Sequence, residues 1–417
     1  MNTHNNAAAL TPIRICDFSG QLAGAGATRY LAAMGAQVIR IEDRLSRGGW
    51  DMFRGTGPYK DDRRGHNLGG MYNNHNIEKL GITLNAKSLE GQEILRELVS
   101  ISDVVTENFS AGVMERWGFG YEEMQKVKPD IIYVSNSGFG HSGPYKSFKS
   151  WGPVVQAVSG LTYQSGLPNM PPAGLGYSYM DHTGGYLMAI AILMALYHRY
   201  KTGEGQYVDM SCTDAALALN GPALLDYTVN GRPSSSVGQP NSNRSHYPPM
   251  APHGIYKSRG NDKWIAIAVR TEEEWKLLSN LFAMQGIKDL DKYATLDNRL
   301  EQEDELDNLV TSWTEKRTSY ESMNTLQRLG IPAASVQNPE ERIDKDPNIL
   351  AWNAFPEVQH AEMGPTRVEG LAMKFTKTPA TIGKGGNLLG EDNKYVYEEI
   401  LNIDPNILTN LQSIGVI

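Results

Sequence analysis

The chain has 417 residues, 40% hydrophobic and 21% charged, with a formal net charge of −8. That is the composition of a globular protein of two or three domains, long enough to bury its core without staples. Scattered basic residues exclude a nucleic-acid binder, which needs a clustered basic face, though not a local pocket for a phosphorylated ligand.

Two cysteines, Cys16 and Cys212, exclude a disulfide framework and a CxxC metal or redox site, so no metal is expected. The start, MNTHNNAAALTP, lacks the basic and apolar parts of a signal peptide. The longest apolar run, 187–197, is shorter than the ~20 residues a bilayer span takes. A cytoplasmic protein is the expectation.

In chain order, residues 13–18 read as a strand, 23–34 as a small-residue helix and 37–41 as a strand. Residues 82–84, 104–106 and 131–134 read as further buried strands, with helical spacing at 89–99. Residues 178–199 read as a long apolar helix broken by Gly184-Gly185, followed by the turn KTGEGQ and a strand at 207–210. This alternation predicts an α/β fold: a Rossmann-like large domain with a parallel sheet. Composition shifts after about Leu225, and 230–253 is a Ser-, Pro-, Asn- and Gly-rich loop. A strand at 263–269 and amphipathic helices at 272–282 and 306–315 mark a smaller α+β domain. The expected boundaries are 12–225 for the large domain, 230–330 for the small one, and 335–417 for a segment returning to the large domain and ending in a helix at 404–413.

The glycines after the first strand, in GAGATR at 24–29, imitate a dinucleotide fingerprint, with Glu42 closing the next strand. Arg29 stands where the third glycine belongs, and the linker 19–23 is too long for the tight turn. Close helix packing explains these small residues better than an NAD site.

Five segments carry more weight than any single motif. They are DFSGQLAGAGATRYLAAMGAQVIRIE at 17–42, NIEKLGITLNAKSLEGQEIL at 76–95, SDVVTENFSAGVMERWGFGYEEM at 102–124, PDIIYVSNSGFGHSGPY at 129–145, and GYSYMDHTGGYLMAIAILMALYHRYKTGEGQYVDMSCTDA at 176–215. In this order and spacing the chain resembles the class III CoA-transferases, the family of formyl-CoA and crotonobetainyl-CoA transferases. The likeness is strong over 12–220, weaker through the second domain, and returns in LLGEDN at 388–393.

The resemblance implies that Asp181 is a nucleophile, passing through a mixed anhydride and an aspartyl–CoA thioester; the substrate is a CoA thioester and no permanent cofactor is implied. Read alone, Asp181 would be a helix N-cap, a compatible role. The resemblance also carries CoA contacts onto Leu22 in the first loop, Asn76 and Lys79 at the phosphates and adenosine, Asn108 and Phe109 at the pantetheine channel, and Arg116 at a phosphate. Ser137 stands where formyl-CoA transferases have lysine, beside Gly138. Arg44 is placed to substitute for an arginine that the family has nearer Glu42. Singly, each exposed cation reads equally well as a solvated surface charge.

The family also includes acyl-CoA racemases, which need a histidine opposite the aspartate. Trp151 takes that position in KSWGPVVQAVSG, which lowers the racemase alternative; His141 and His182 lie nearby in sequence. A second alternative is a non-catalytic CoA-binding subunit of a heteromer. The segments GYSYMDHTGGY and SWGPVVQAVSGLTY look most like succinyl-CoA-dependent transferases of aromatic or substituted acids such as benzylsuccinate. Trp151, Tyr177, Tyr179 and Met180 are candidates for an apolar acyl pocket or, equally, for core packing. A glycine-rich lid is absent; HYPPMAPHGIYKSRG at 246–260 takes its approximate place. The family form is an interlocked dimer, homomeric or paired with a homologous subunit, with the 230–253 loop suited to a crossing segment.

Overall fold

The computed structural model describes residues 8–43, 51–167, 170–176, 178–232, 242–246 and 248–417. They fall into two compact units: Met1–Thr162, Gly174–Arg232 and Ala351–Ile417 form the first, and Tyr163–Ala173 with Pro233–Leu350 the second.

The first unit is built on six parallel strands: β1 (Arg14–Asp17), β2 (Gln37–Glu42), β3 (Leu80–Thr83), β4 (Val104–Glu107), β5 (Ile132–Ser137) and β6 (Gln206–Ser211). Their order is β3-β2-β1-β4-β5-β6, the doubly wound order, which reverses between β1 and β4. Loops diverge there, opening a crevice at the carboxyl ends of the strands. Both faces of such a sheet are covered, so the inner strands β1, β2, β4 and β5 are buried along almost their whole length rather than on alternate residues. One face packs Ile39, Ile41, Val105 and Tyr133 against Leu95, Leu98 and Phe119. The other packs Ile15, Val38, Val104, Ile132 and Val134 against Leu31, Met188 and Ile192.

The helices here are α1 (Ala23–Ala33), α2 (Gly70–His75), α3 (Leu89–Ser100), α4 (Val113–Arg116), α5 (Tyr121–Val127), α6 (Gly152–Val158), α7 (Tyr179–Thr202), α8 (Cys212–Leu217) and α9 (Gly221–Asn230). Ser88 caps α3, its hydroxyl accepting from the Gly91 N–H at 3.0 Å. α7 is continuous, contrary to the break expected at Gly184-Gly185. The glycines are there for packing: a Cβ on Gly185 would stand 2.9 Å from the Ala23 carbonyl oxygen of α1. Helix propensity lost at two glycines, about 1 kcal/mol each, is offset by the close approach of α7 to α1 at Gly185 and to Cys212 of α8 at Gly184. The small residues of α1 serve this contact too.

The second unit holds a ribbon of β7 (Ser245–His246) and β8 (Pro249–Met250), and an antiparallel sheet of β9 (His253–Lys257), β10 (Trp264–Ala268) and β11 (Ala333–Val336) in the order β11-β10-β9. Helices α10 (Glu272–Met284), α11 (Leu296–Glu301), α12 (Glu303–Thr314) and α13 (Ser319–Arg328) cover it, around Trp275, Phe282, Trp313 and Leu326. Thr318 and Glu321 form a capping box on α13. This unit runs on to Leu350, past the 330 read from composition. Much of the 230–253 loop, 233–241 and 247, lies outside the described residues.

Helix α14 (Pro347–Trp352) leads out of that unit, and the chain after it, with β12 (Glu357–His360), β13 (Gly364–Arg367) and α15 (Pro405–Ser413), belongs to the first unit. It binds the free edge of β3. Asp392 and Asn393 of the LLGEDN segment accept from the N–H groups of Gly81 and Thr83 at 2.7 and 2.8 Å. The Tyr397 hydroxyl donates to the Thr83 carbonyl at 2.6 Å. An exposed parallel edge is thereby closed. Among the described residues no helix is long and apolar enough to cross a membrane.

Candidate active site

At the carboxyl ends of β1, β4 and β5 lies a cavity of about 600 Å³. Its base is the loop after β1. Gly20 is clamped by Asn108 from the loop after β4: the Asn108 Oδ1 accepts from the Gly20 N–H at 2.7 Å, and its Nδ2 donates to the Gly20 carbonyl at 2.9 Å. Asp51 takes the next N–H, that of Gln21, at 2.7 Å, and lies 3.5 Å from the Arg40 guanidinium. The switch point is thus tied together by side chains reaching across it. Asn108 and Phe109 line the cavity, Phe109 with its ring edge-on to Trp117 at 5.3 Å.

Asp181 lies in the first turn of α7 and lines the same cavity, with Trp151 and Gly152 of the facing segment. Its carboxylate is so close to Gly152 that a Cβ there would sit 2.9 Å from Oδ2. Burial holds the Asp181 carboxyl above its ordinary value, against the opposing pull of a hydrogen bond from Ser178 and of His182. A carboxylate of raised basicity, facing a cavity, suits attack on a carbonyl. Ser137 and Gly138, at the end of β5, complete the floor. The Ser137 hydroxyl is buried without a partner among the described residues. The Gly138 backbone is pinned by Thr213, whose N–H and hydroxyl donate to its carbonyl at 3.0 and 2.7 Å.

Asp181, Asn108, Phe109, Ser137 and Gly138 therefore meet in one cavity. Other residues named from the sequence do not line it. Leu22 is 2% exposed and packs with Phe53 and Tyr72. Asn76 and Lys79 are fully buried. The Lys79 ammonium is spent on Asp17 at 3.3 Å, the Ala25 carbonyl at 3.2 Å and Asn76 at 3.0 Å. Asp17 in turn accepts from Thr28 at 2.8 Å, Thr106 at 2.9 Å and the Ser19 hydroxyl. Burial would raise the Asp17 carboxyl, but Lys79 and Arg40 hold it below its ordinary value. A cation sealed in this way positions the strand ends; in this arrangement no ligand phosphate reaches it. Arg116 is exposed at the end of α4, away from the cavity lining, and Arg44 lies outside the described residues.

The residues proposed for the acyl pocket also divide. Trp151 lines the cavity and is 55% exposed, Met180 is core, Tyr179 is exposed off the lining, and Tyr177 is outside the described residues. His182 packs toward His75, ring centroids 5.6 Å apart, and His141 lies 3.5 Å from the buried Glu107. No histidine is among the described residues that line the cavity. Sequence reasoning passed over Asn136, Arg40, Asp51, Lys146, Lys149 and Cys212, all of which do. Only Asn136, near the end of β5, and Cys212, just after β6, carried the signal of a strand end, the place where a doubly wound sheet binds ligands. Among the described residues no group of His, Cys, Asp and Glu side chains could hold a metal ion.

Residues 10–393 match the family model described as CoA-transferase family III. The chain is 28% identical to the succinyl-CoA–D-citramalate CoA-transferase of Chloroflexus aurantiacus, over 98% of both chains. It is likewise 28% identical to the beta subunit of that organism's succinyl-CoA–L-malate CoA-transferase, again over 98% of both. A CaiB/BaiF family protein from Brucella suis has the same fold, with a TM-score of 0.82 at 24% identity, over 94% of this chain and 100% of that one. The protein described here belongs to CoA-transferase family III and is an enzyme of that class.

Proposed function

We propose that the enzyme moves CoA from a succinyl-type thioester to a second carboxylic acid through covalent intermediates on Asp181. The observation that carries this is Asp181 itself: a carboxylate of raised basicity at the head of a helix, facing a cavity at the switch point. Its oxygen attacks the thioester carbonyl, and collapse of the tetrahedral adduct breaks the C–S bond. A mixed anhydride and CoA thiolate result. The thiolate attacks the aspartyl carbonyl and expels the donor acid, leaving an aspartyl–CoA thioester. The acceptor carboxylate attacks that thioester and releases the thiolate again. The thiolate then takes the acceptor's acyl carbon and restores the Asp181 carboxylate. No proton shuttle is needed, which accords with tryptophan at position 151 and disfavours racemisation.

Asn108, Phe109, Ser137 and Gly138 are assigned to the pantetheine and thioester, and the guanidinium groups of Arg44 and Arg116 to phosphates. Leu22, Asn76 and Lys79 support the loops rather than touch the ligand. The acceptor is a di- or substituted dicarboxylic acid, the class to which the named relatives' substrates citramalate and malate belong. Lys146 and Lys149 at the cavity wall suit an anionic substrate. The working form is a dimer, the interlocked type implied by the family resemblance, supported by an apolar stripe that α7 leaves uncovered.

The test is to incubate the enzyme with succinyl-CoA, trap with hydroxylamine or borohydride, and map the modified residue. Label on Asp181 is expected, and Asp181→Ala is expected to abolish transfer while CoA still binds. Label on any other residue would overturn the mechanism.

A further inference from the structure

Asn136 stands in β5 immediately before Ser137 and Gly138. It is 2% exposed and lines the same cavity as Asp181 and Cys212. The two ends of its carboxamide have unequal partners. Oδ1 accepts from the Cys212 thiol at 3.2 Å. Among the described residues Nδ2 meets only the Met188 thioether, at 3.6 Å. A thioether is a weak acceptor, so the two N–H donors are close to unsatisfied in a buried position, a costly state unless something entering the cavity completes it.

Chemistry fixes which way the amide faces. A thiol can donate and a thioether cannot, so the carbonyl belongs at Cys212 and the nitrogen at Met188. Burial, with Asp181 nearby, pushes the Cys212 thiol up to about 12, so it keeps the proton it donates. Backbone is cleared for this arrangement as well. A Cβ on Gly184 would lie 2.7 Å from the Cys212 sulfur and 3.8 Å from the Asn136 nitrogen. Gly184 is one turn along α7 from Asp181, on the same helix face. The amide nitrogen therefore lies along α7 beside Gly184 and Met188, one to two turns beyond the carboxylate, in the cavity that Asp181 also lines.

We propose that Asn136 is an oxyanion donor, its side-chain N–H stabilising the tetrahedral adducts formed at Asp181, with Cys212 as the positioning residue that orients the carboxamide. This rests on the Asp181 reading above. Each addition step turns a carbonyl oxygen into O⁻. A neutral donor already desolvated in the cavity where that charge forms needs little reorganisation, and no proton changes hands.

The experiment is a rapid-quench measurement of the first turnover with succinyl-CoA, following the CoA adduct on Asp181 by mass, with CoA affinity and melting temperature measured in parallel. Asn136→Leu keeps the shape and removes the donors; Asn136→Ala is the second variant. Both are expected to slow adduct formation by about 10²–10³-fold, the loss seen when one oxyanion donor is removed, with CoA affinity unchanged. Cys212→Ser, which can still donate to Oδ1, is expected to stay near the wild-type rate, and Cys212→Ala to fall below it. Should the Asn136 variants fail to fold, the contrast between the two Cys212 variants decides. A normal rate in the Asn136 variants, a rate loss matched by loss of CoA affinity, or equal rates in both Cys212 variants overturns the role of Asn136. No adduct on Asp181 in the wild type overturns the covalent reading instead.

Discussion

At the scale of single residues, the protonation of Asp181 gives a direct handle. In the proposed mechanism only the carboxylate attacks, and burial raises its pKa above the ordinary 3.8, against opposition from Ser178. The rate of adduct formation is therefore constant at high pH and falls as pH drops through that raised value. Ser178→Ala removes an interaction that favours the charged form, so the acid limb moves to higher pH. A pH series of single turnovers, with no acceptor acid to titrate, checks both statements; a limb at the ordinary carboxylate value, or one that Ser178→Ala leaves in place, contradicts them. Asp181 was legible in the sequence because it lies ahead of HTGG in a segment that resembles a family. Asn136 was not. Its proposed role depends on the thiol of Cys212, 76 positions away, and on the helix face beneath Gly184, and no linear pattern announces such a meeting. Lys79 is the opposite case. The family resemblance implies a CoA contact there, while the fold turns its ammonium inward to Asp17.

Between elements, the contact of α1 and α7 sets where Asp181 stands. The glycines split into two kinds with opposite expected effects. At Gly185 a Cβ would meet the Ala23 carbonyl oxygen at 2.9 Å and the Ala27 nitrogen at 3.4 Å. Backbone atoms in a helix cannot yield as a flexible side chain does, so Gly185→Ala drives α7 outward. A loss of about 1–3 kcal/mol in unfolding free energy is expected, the usual cost of overpacking. At Gly26 the nearest atom to a Cβ is His75 Cδ2 at 3.8 Å, an ordinary contact. Gly26→Ala is expected to stabilise by up to about 1 kcal/mol, through helix propensity. Denaturant titration of the two variants measures both, and equal signs would refute the packing argument. The small residues of α1 were legible as a packing surface, as the failed dinucleotide fingerprint suggested. The continuity of α7 was not, because a Gly-Gly pair reads as a break until the partner helix that fills its groove is known. Strand order was legible only as alternation, since the reversal between β1 and β4 is a property of pairing, not of any strand.

At the scale of the whole molecule, one chain leaves an apolar face of α7 uncovered. Along α7, Tyr186 is 44% exposed, Ile190 50%, Leu193 42%, Tyr197 65% and Tyr200 80%. These positions step by four, three, four and three, a single helical stripe. It spans about 21 Å at ~1.5 Å per residue. Isolated apolar side chains on a surface are ordinary, but a continuous stripe is what a subunit interface supplies and a monomer avoids. The opposite face of the same helix packs Met188 and Ile192 into the sheet core, so the stripe cannot turn inward without emptying that core. A second copy of the chain is the expected cover. Light scattering on the purified protein should give twice the chain mass at micromolar concentration. Ile190→Asp with Tyr197→Asp, two charges placed in the middle of the stripe, should shift the mass toward one chain. A wild-type monomer in that measurement would contradict self-association. A monomer that doubles only on co-expression with a homologous chain would assign the stripe to an unlike subunit.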